Sequence, residues 1–346
     1  MLTEKQTKEI REELQSCTNP LFYFDNDQDG LISFILLRRF IEKGAGIPVK
    51  NSPMDETYFR RVKEFEPDKI FILDVPEVSS EMFAKLEEYG APVVWIDHHD
   101  IDFSKVPSWV KYFNPVKDEK ENIPVCVLAQ EIVGKKDQWL GVIGAIADHY
   151  VPKFYSDFLK DYPDLGIKSE KPFEIFYNSE IGKISRMLGA GLKDRTSSVF
   201  RMLRFLYEVK NPYDLIEEKK ENKELHKRFD KIDEKFNSLI EKAKEGVNES
   251  NILFFKYSGE TSMSADLSNK LSYLYSEKVV VVAFVKGERV NVSLRGIKIR
   301  GVALDLLKEF ENARGGGHEN AVGCQLDLDD LDKFVEELGK RIKDNS

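Results

Sequence analysis

Short apolar runs alternate with segments of helical periodicity over roughly the first 150 residues of the chain. The runs that fit buried strands are Leu21–Phe24, Ile70–Leu73 and Val93–Ile96. The segments that fit helices are Gly30–Lys43, Ser79–Tyr89, Pro124–Val133 and Leu140–Ala147. Because strands that alternate with helices form mainly parallel sheets covered on both faces, this pattern predicts a doubly wound α/β domain over residues 1–150.

The pattern becomes helical between residues 151 and 248. Residues 215–247 contain little Gly or Pro, and apolar positions such as Leu225, Phe229 and Phe236 recur at helical spacing. We therefore expect a helical connecting region with one long amphipathic helix, residues 215–247. Its narrow apolar stripe is typical of a spacer packed along the protein's own side, or of a helix that pairs with another subunit in a homo-oligomer.

A second, smaller α/β domain is expected over residues 249–346. Its strand-like runs are Ile252–Tyr257, Lys278–Val285 and Arg289–Leu294. Its helix-like segments are Ser264–Tyr275, Ala303–Phe310 and Leu328–Lys343. The chain thus resolves into two α/β domains and a helical insert.

Composition narrows the class of protein. The 346 residues are 41% hydrophobic and 33% charged, as in soluble globular proteins. No apolar run approaches the roughly 18 residues of a membrane span, and the charged N-terminus is unlike a signal peptide, so a cytoplasmic protein is expected. Three scattered cysteines argue against a disulfide framework or a structural zinc site. A net charge of −9 argues against a protein that wraps duplex DNA through its overall charge. A local basic groove that binds nucleic acid is still compatible with this net charge.

Aspartates stand at the ends of the predicted strands. Asp25, Asp74 and Asp97 each come directly after a strand-like run. Ligands of parallel sheets sit beyond the carboxyl ends of the strands, so we expect these three residues at one edge of the sheet. Asp27 follows Asp25 by two residues, and in extended backbone the two side chains point the same way. A cluster of carboxylates at this edge predicts a metal site.

A calcium loop is the alternative interpretation of the segment from Asp25 to Gly30, which has the pattern DxDxDG. Such a loop needs Glu at its twelfth position, where this chain has Leu36. The calcium interpretation is therefore excluded.

Imidazoles complete the expected ligand set. His98 and His99 follow Asp97 at the end of a buried strand, and Asp148 closes a helix of small residues that can approach closely. Mixed oxygen and nitrogen ligation without thiolate suits Mn²⁺ or Mg²⁺ better than structural zinc. Two such ions support hydrolysis of a phosphate ester, with Asp74 our choice for the bridging carboxylate. Without cations the aspartates would repel one another, so the metal-free site should be less stable.

A glycine-rich segment, Gly315-Gly316-Gly317-His318, stands in the second domain and is expected to be a flexible loop. Without side chains for three residues, its backbone can approach a ligand and offer N–H donors, and His318 adds a further donor. Arg295, at the end of a predicted strand, supplies a planar cation suited to phosphate. With metals in one domain and an anion clamp in the other, the substrate is expected in the cleft between the domains.

Together these motifs resemble the DHH phosphoesterase family, in the branch that carries a DHHA1 domain. The matching residues are Asp25-x-Asp27-x-Asp29-Gly30, Asp74, Asp97-His98-His99, Asp148 and Gly315-Gly316-Gly317-His318, followed by Ala321 and Gly323. They occur in the family's order and span nearly the whole chain.

The resemblance implies a role for each residue. It implies two Mn²⁺ ions, with Mg²⁺ as the alternative. Asp25 would bind one ion, Asp27, His98 and Asp148 the other, and Asp74 would bridge them. His99 would contact the scissile phosphate, and Asp97 would orient the histidines. Arg295, Gly315, Gly316, Gly317 and His318 would bind the substrate.

Some family members carry a His four residues before the first Asp, where this chain has Leu21. That absence and the helical insert resemble the compact archaeal RecJ-like exonucleases, among them the Hef-associated nuclease. The resemblance implies hydrolysis of single-stranded DNA or RNA to nucleoside 5′-monophosphates in DNA repair or replication, with a helicase as a possible partner. The alternatives are a phosphodiesterase of dinucleotides or short oligonucleotides, and a non-catalytic scaffold subunit of a replicative helicase.

Overall fold

The structure of the chain is a computed structural model that describes residues 1–116 and 122–344, with His318 and the last two of these residues described by their backbone only. It divides into two compact units, Met1–Phe229 and Asp230–Ser346. Among the described residues, no helix combines the length and the apolar character needed to cross a bilayer.

The sheet of the first unit has five parallel strands. They are β1 (Pro20–Asp25), β2 (Ala45–Val49), β3 (Lys69–Leu73), β4 (Val93–Ile96) and β5 (Lys111–Phe113). Their order is β2-β1-β3-β4-β5, so the direction of winding reverses between β1 and β3. This is the point at which doubly wound sheets bind their ligands.

Helices cover both faces of this sheet, as the sequence predicted. The helices of the first unit are α1 (Glu4–Ser16), α2 (Gln28–Ile41), α3 (Phe59–Phe65), α4 (Ser80–Tyr89), α5 (Val125–Val133), α6 (Gln138–Ala147), α7 (Tyr155–Asp161), α8 (Pro172–Asn178), α9 (Glu180–Leu192), α10 (Thr196–Glu208) and α11 (Tyr213–Ile216). Tyr23, Ile72 and Trp95 pack on one face with residues of α3 and α4. On the other face, Phe24 stacks on Phe34 of α2 with ring centroids 5.1 Å apart. The α/β fold class is confirmed.

The edge strands β2 and β5 were not recognised in the sequence. β2 contains Gly46 and Pro48, which are unfavourable inside a sheet but tolerated at its edge. β5 has only three residues. Neither segment carries enough hydrophobic periodicity to be identified without its neighbours.

The long helix α12 (Lys223–Glu245) is shorter than the predicted 215–247 segment. Its beginning is displaced because a short loop, held by Asn222, separates it from α11. The stripe residues Leu225, Phe229 and Phe236 are buried within this chain. Their burial favours the spacer over the helix that pairs with another subunit.

The second unit contains a mixed five-stranded sheet. Its strands are β6 (Ile252–Ser258), β7 (Val279–Lys286), β8 (Arg289–Arg295), β9 (Arg314–His318) and β10 (Ala321–Asp327). The order is β6-β7-β8-β10-β9, with β6 and β7 parallel and the remaining neighbours antiparallel. Its helices are α13 (Ser264–Leu274), α14 (Ile299–Leu307) and α15 (Leu331–Asp344).

The sequence predicted a flexible loop for the glycine segment, and this prediction is wrong. The segment forms the edge strand β9. Gly315, Gly316 and Gly317 pair with β10 across a two-residue turn. Ladder hydrogen bonds are made by backbone groups, which glycine supplies as well as any residue. At Gly317, with φ of 147°, an added Cβ would lie 2.2 Å from the Ala321 carbonyl oxygen. The glycine there allows the two backbones to approach.

Candidate metal centre

Three aspartates converge at the carboxyl edge of the first sheet. Asp25 is the last residue of β1, and Asp74 follows β3 directly. Asp27 is the N-cap of α2, where its Oδ1 accepts a hydrogen bond of 2.9 Å from Gly30 N. Asp25, Asp27 and Asp74 each offer a carboxylate oxygen within 4.8 Å of those of the other two. They form a group able to hold one cation.

Asp74 has a left-handed backbone, with φ of 62°. Its N–H donates to the Ile96 carbonyl oxygen of β4 at 2.9 Å, which fixes the chain at the end of the sheet. Residues other than glycine adopt this conformation at a cost, and such residues cluster at functional sites. The backbone turns the Asp74 carboxylate into the cluster.

His98 connects this group to a second one. Its Nε2 lies 3.2 Å from Asp74 Oδ1, and its Nδ1 lies 3.9 Å from Asp148 Oδ2. Two further sets of three side chains have ligand atoms within 4.8 Å of one another, Asp74 with His98 and His99, and Asp29 with His98 and Asp148. The family resemblance assigns Asp27 to the same ion as His98, whereas here Asp27 groups with Asp25 and Asp74. That assignment stays a prediction.

Asp148 reaches the site because α6 packs tightly against its neighbours. It is the C-terminal cap of this helix. A Cβ at Gly144 would lie 2.7 Å from Cys126 Sγ of α5 and 3.2 Å from Ile32 Cβ of α2. Small residues in α6 therefore bring its C-terminal end close to the sheet edge.

The clustered carboxylates resist ionisation. Loss of hydration, together with the charges of Asp25 and Asp29, raises the pKa of Asp27 to about 7. Burial and the neighbouring aspartates also raise the pKa of Asp74 and of Asp148 well above the ordinary range. Burial lowers the pKa of His98, which favours the neutral imidazole that can offer a lone pair to a metal.

These residues fit divalent cations. Asp74 Oδ1 is buried and lacks a hydrogen-bond partner among the residues that the structure describes, although His98 Nε2 is near. Carboxylate oxygens and imidazole nitrogens are ligands for Mn²⁺ and, for the oxygens, Mg²⁺. A bound cation would reduce the repulsion among the carboxylates and would give Asp74 Oδ1 a partner.

Asp97 holds His99 and is itself fully buried. Its Oδ1 lies 2.7 Å from His99 Nδ1, and its Oδ2 accepts a hydrogen bond of 3.0 Å from Tyr112 Oη. Although burial opposes it, the hydrogen bond to Asp97 raises the pKa of His99. Asn114, which donates to the His99 carbonyl oxygen at 2.8 Å, completes this network.

Sequence reasoning missed the roles of Tyr112 and Asn114. Phe113 is buried, and the Tyr112 hydroxyl donates its hydrogen bond to Asp97. Asn114 follows β5 as Asp74 follows β3. A polar residue directly after a strand was the available signal, but β5 itself was not recognised.

Asp29 was recognised as part of the first motif but not as a group near the histidines. It is 1% exposed, and its two oxygens accept hydrogen bonds of 2.7 Å from Val125 N and Cys126 N, in the first turn of α5. Its Oδ2 is 4.0 Å from His98 Nε2. Asp29 therefore joins α2, α5 and the site. The next residue, Gly30, has no room for a side chain, since a Cβ would lie 2.5 Å from the Asp25 carbonyl oxygen.

The remaining predicted residues lie in the second unit. Arg295 ends β8, and its Nε donates to Asn269 Oδ1 at 2.6 Å. Gly316 and Gly323 have open space above their Cα atoms. They share one face of the sheet with Ser293, beside an open cavity of about 530 Å³. The side chain of His318 lies outside the described residues.

Two family models match the sequence. The DHH family N-terminal domain matches residues 21–149, and the DHHA1 domain matches residues 249–344. Together they span well over half of the chain and include every motif discussed above. No curated protein matches the sequence significantly.

Several solved structures share the fold. RecJ from Thermus thermophilus in complex with Mn²⁺ is 17% identical, with a TM-score of 0.67 over 97% of this chain and 54% of that chain. The pGpG-specific phosphodiesterase PggH from Vibrio cholerae is 14% identical, with a TM-score of 0.55 over 95% of this chain and 100% of that chain. CDC45 from Entamoeba histolytica is 10% identical, with a TM-score of 0.54 over 97% and 98%.

At these identities the structures establish a common fold, and this chain spans about half the length of the Thermus RecJ chain. The family models rest on the sequence itself, and they match the unit that carries the aspartates and histidines as well as the unit that carries the glycine strand. The chain therefore belongs to the DHH family of phosphoesterases, in the branch that has a DHHA1 domain.

Proposed function

We propose that this protein is a Mn²⁺-dependent exonuclease that hydrolyses single-stranded DNA or RNA to nucleoside 5′-monophosphates by two-metal-ion catalysis. Mg²⁺ is the alternative metal. DNA repair or replication is the proposed setting, with a helicase as the class of protein partner. The similarity to RecJ bound to Mn²⁺ supports the fold on which this proposal rests.

The observation that carries the proposal is the shared position of Asp74. Its carboxylate belongs to the group with Asp25 and Asp27, and its Oδ1 lies 3.2 Å from Nε2 of His98, which forms a second group with Asp29 and Asp148. A carboxylate common to two adjacent cation sites is the natural bridge between ions about 3.5–4 Å apart. Bound there, two divalent ions would activate a water molecule and offset the negative charge that develops on the phosphate.

His99 is suited to the phosphate. Asp97 holds its Nδ1, so Nε2 is the nitrogen left for a ligand. The hydrogen bond with Asp97 raises the pKa of His99 and so favours the protonated form of this imidazole. We propose that His99 donates a hydrogen bond to the scissile phosphate or to the leaving oxygen, while Asp97 holds the ring in place.

The glycine strand β9 is the proposed substrate-binding element of the second unit. Gly316 and Gly323 leave the sheet face without side chains, while Ser293, Asn291 and Arg314 line the same open cavity. A nucleotide can approach such a surface closely and meet hydroxyl, amide and guanidinium donors. Arg295 and His318 remain proposed phosphate-binding residues at the adjoining strand ends.

A phosphodiesterase of dinucleotides or short oligonucleotides is the second candidate function. One observation favours it: the pGpG-specific phosphodiesterase shares the fold of this chain, and the match covers all of that chain.

Incubation of the Mn²⁺-loaded protein with end-labelled substrates separates these functions. Single strands of about twenty nucleotides, DNA and RNA, are labelled at the 5′ or the 3′ end and tested beside a labelled dinucleotide. We expect a ladder of products shortened from one end, with release of nucleoside 5′-monophosphates. Cleavage of the dinucleotide alone would support the second candidate.

A non-catalytic scaffold, as the likeness in fold to CDC45 suggests, predicts no turnover of any of these substrates. Turnover that requires Mn²⁺ and disappears in Asp74→Asn would exclude it. If the correctly folded, metal-loaded protein cleaved none of these substrates, both catalytic proposals would be contradicted.

A further inference from the structure

A row of aromatic rings begins beside Asp148 and continues along α8. The row consists of His149, Phe173 and Tyr177, and we refer to it as the aromatic row. The His149 ring stacks on Phe173 with centroids 4.2 Å apart and an interplanar angle of 26°. Phe173 and Tyr177 lie one helical turn apart, with nearly parallel rings at 6.1 Å and 11°. Three rings in similar orientation thus begin at the residue that follows the candidate ligand Asp148.

The backbone fixes the start of the aromatic row. His149 has a left-handed conformation, with φ of 58°, at the C-terminal end of α6. The N–H of His149 donates to Ile146, and the N–H of Tyr150 donates to Ala145 at 2.8 Å. Residues other than glycine keep such a conformation only where the surroundings impose it. The same helix end therefore positions the Asp148 carboxylate and the His149 ring.

The rings of the aromatic row are not core residues. His149 is exposed, and Phe173 and Tyr177 are only half-buried, whereas Ile175 on the same helix is completely buried. Half-exposed rings beside a candidate catalytic centre are typical of binding surfaces.

A cation stands at the far end of the aromatic row. The Arg186 guanidinium carbon lies 5.9 Å from the centroid of Tyr177 and 5.7 Å from that of Phe176. Its Nη1 donates to the Phe176 carbonyl oxygen, which holds the side chain over these rings. A guanidinium beside aromatic faces combines stacking with attraction for phosphate.

We propose that the aromatic row is a stacking platform for the bases of a single strand whose backbone enters the metal centre. Aromatic side chains bind bases of any sequence because every base has a π-face, and arginine adds a charge-dependent contribution. The inference rests on the proposed nuclease function and deepens it.

Base stacking can be tested apart from hydrolysis. The probes are two ten-nucleotide strands with hydrolysis-resistant linkages, one of thymidines and one with abasic sugars at the same positions, bound to the metal-loaded protein. In Phe173→Leu we expect about tenfold weaker binding of the thymidine strand and unchanged binding of the abasic strand. Phe173→Trp should retain the wild-type affinity for the thymidine strand, because it keeps an aromatic face. The matched control is Phe65→Leu, which removes a ring that is 37% exposed on α3.

The outcomes distinguish the two proposals. Wild-type affinity of Phe173→Leu for the thymidine strand would overturn the stacking platform. Equal weakening for both strands would also overturn it, since a general loss of structure or charge affects both probes. A wild-type protein that cleaves only the dinucleotide, and binds neither strand, would contradict the proposed exonuclease. If the wild type cleaves strands and the Phe173→Leu variant binds the thymidine strand as tightly as the wild type does, the stacking platform is rejected and the proposed exonuclease stands.

Discussion

The two edges of the first sheet handle charge in opposite ways. At the amino edge, Glu13 of α1 pairs with Lys69 of β3 and with Lys111 of β5, the latter at 2.5 Å. At the carboxyl edge, Asp25, Asp27 and Asp74 face one another with no cationic Lys or Arg in ion-pair contact with them among the described residues. The same sheet thus holds a neutralised cluster at one end and an uncompensated one at the other.

The pKa values follow this difference. Although burial opposes it, the two lysines lower the pKa of Glu13. At the opposite edge, loss of hydration and like charges raise the pKa of Asp27 to about 7. An edge with paired charges stabilises the fold by itself, while an edge with unpaired carboxylates depends on an added cation. Stability and function are therefore separated along the strand direction.

Asp74→Asn gives the largest expected effect. Loss of the bridging carboxylate should lower Mn²⁺-dependent hydrolysis by about a thousandfold or more, because several kcal/mol of transition-state stabilisation depend on both ions. In the presence of a chelator the variant should unfold at a higher temperature than the wild type, because asparagine avoids the cost of burying an ionisable carboxyl among the other aspartates. Steady-state hydrolysis and thermal unfolding measure the two effects. A variant that kept its activity would remove Asp74 from the site.

Gly30→Ala gives the next effect. An added Cβ would meet the backbone of Asp25 at 2.5 Å, so α2 must shift away from β1. We expect a loss of about 1–3 kcal/mol in the free energy of unfolding, typical of overpacking, and weaker Mn²⁺ binding. Denaturant titration and calorimetric metal titration test this.

Gly301→Ala is the matched control for that change. Gly301 also lies in a helix, α14, but open space surrounds its Cα, so alanine should be neutral or slightly stabilising there. Equal destabilisation by both substitutions would contradict the argument from close approach.

The pH dependence of stability in the absence of metal tests the difference between the two edges of the sheet. Asp27 has a folded pKa of about 7 against an ordinary value of 3.8, so the folded state binds more protons between these values. This group contributes stability below about pH 4 that is lost as the pH rises towards 7. In chelator the melting temperature of the wild type should therefore fall relative to that of Asp27→Asn between pH 5 and 7.5, and Mn²⁺ should reverse the order. Asn can still accept the N-cap hydrogen bond from Gly30, which makes it the conservative choice. Parallel melting curves of both proteins at all pH values would contradict the raised pKa.

The strands β1, β3 and β4 were predictable because their apolar runs are uninterrupted, and each is followed by an aspartate. The edge strands β2 and β5 were not, because their local pattern is weak and their pairing is set by the neighbouring strand. The glycine strand β9 was interpreted as a loop for the same reason: its ladder with β10 involves backbone atoms that leave no trace in side-chain periodicity.

The candidate ligands could be predicted because their type and spacing follow from strand ends. The partners of Asp29 could not, because Val125 and Cys126 lie about a hundred residues away in the chain. The aromatic row was equally hidden, since His149 and Phe173 meet only after α6 and α8 have packed. Contacts between distant segments are fixed by tertiary structure, and no local pattern encodes them.

Lys69→Met gives the smallest effect on the reaction and tests the amino edge. Lys69 is 10% exposed in its side chain and donates to Glu13 and to Ser16 Oγ, the latter at 2.9 Å. Methionine preserves the apolar stem but removes the donor to Glu13 Oε2 and to Ser16 Oγ, while Lys111 still pairs with Glu13 Oε1, at a cost of about 1–3 kcal/mol in the free energy of unfolding. Because the pKa of Glu13 is lowered in the folded state, its stabilising effect is present above the ordinary value of 4.5 and lost as the pH falls below it. Chemical unfolding should therefore show a large difference in the free energy of unfolding between variant and wild type at pH 7 and a small difference at pH 3.

Activity at pH 7 should be unchanged while the protein is folded, since Lys69 lies at the opposite end of the strands from the aspartates. A clear loss of turnover in the folded variant would show that the two edges are coupled, and the separation of stability from function along this sheet would then be wrong.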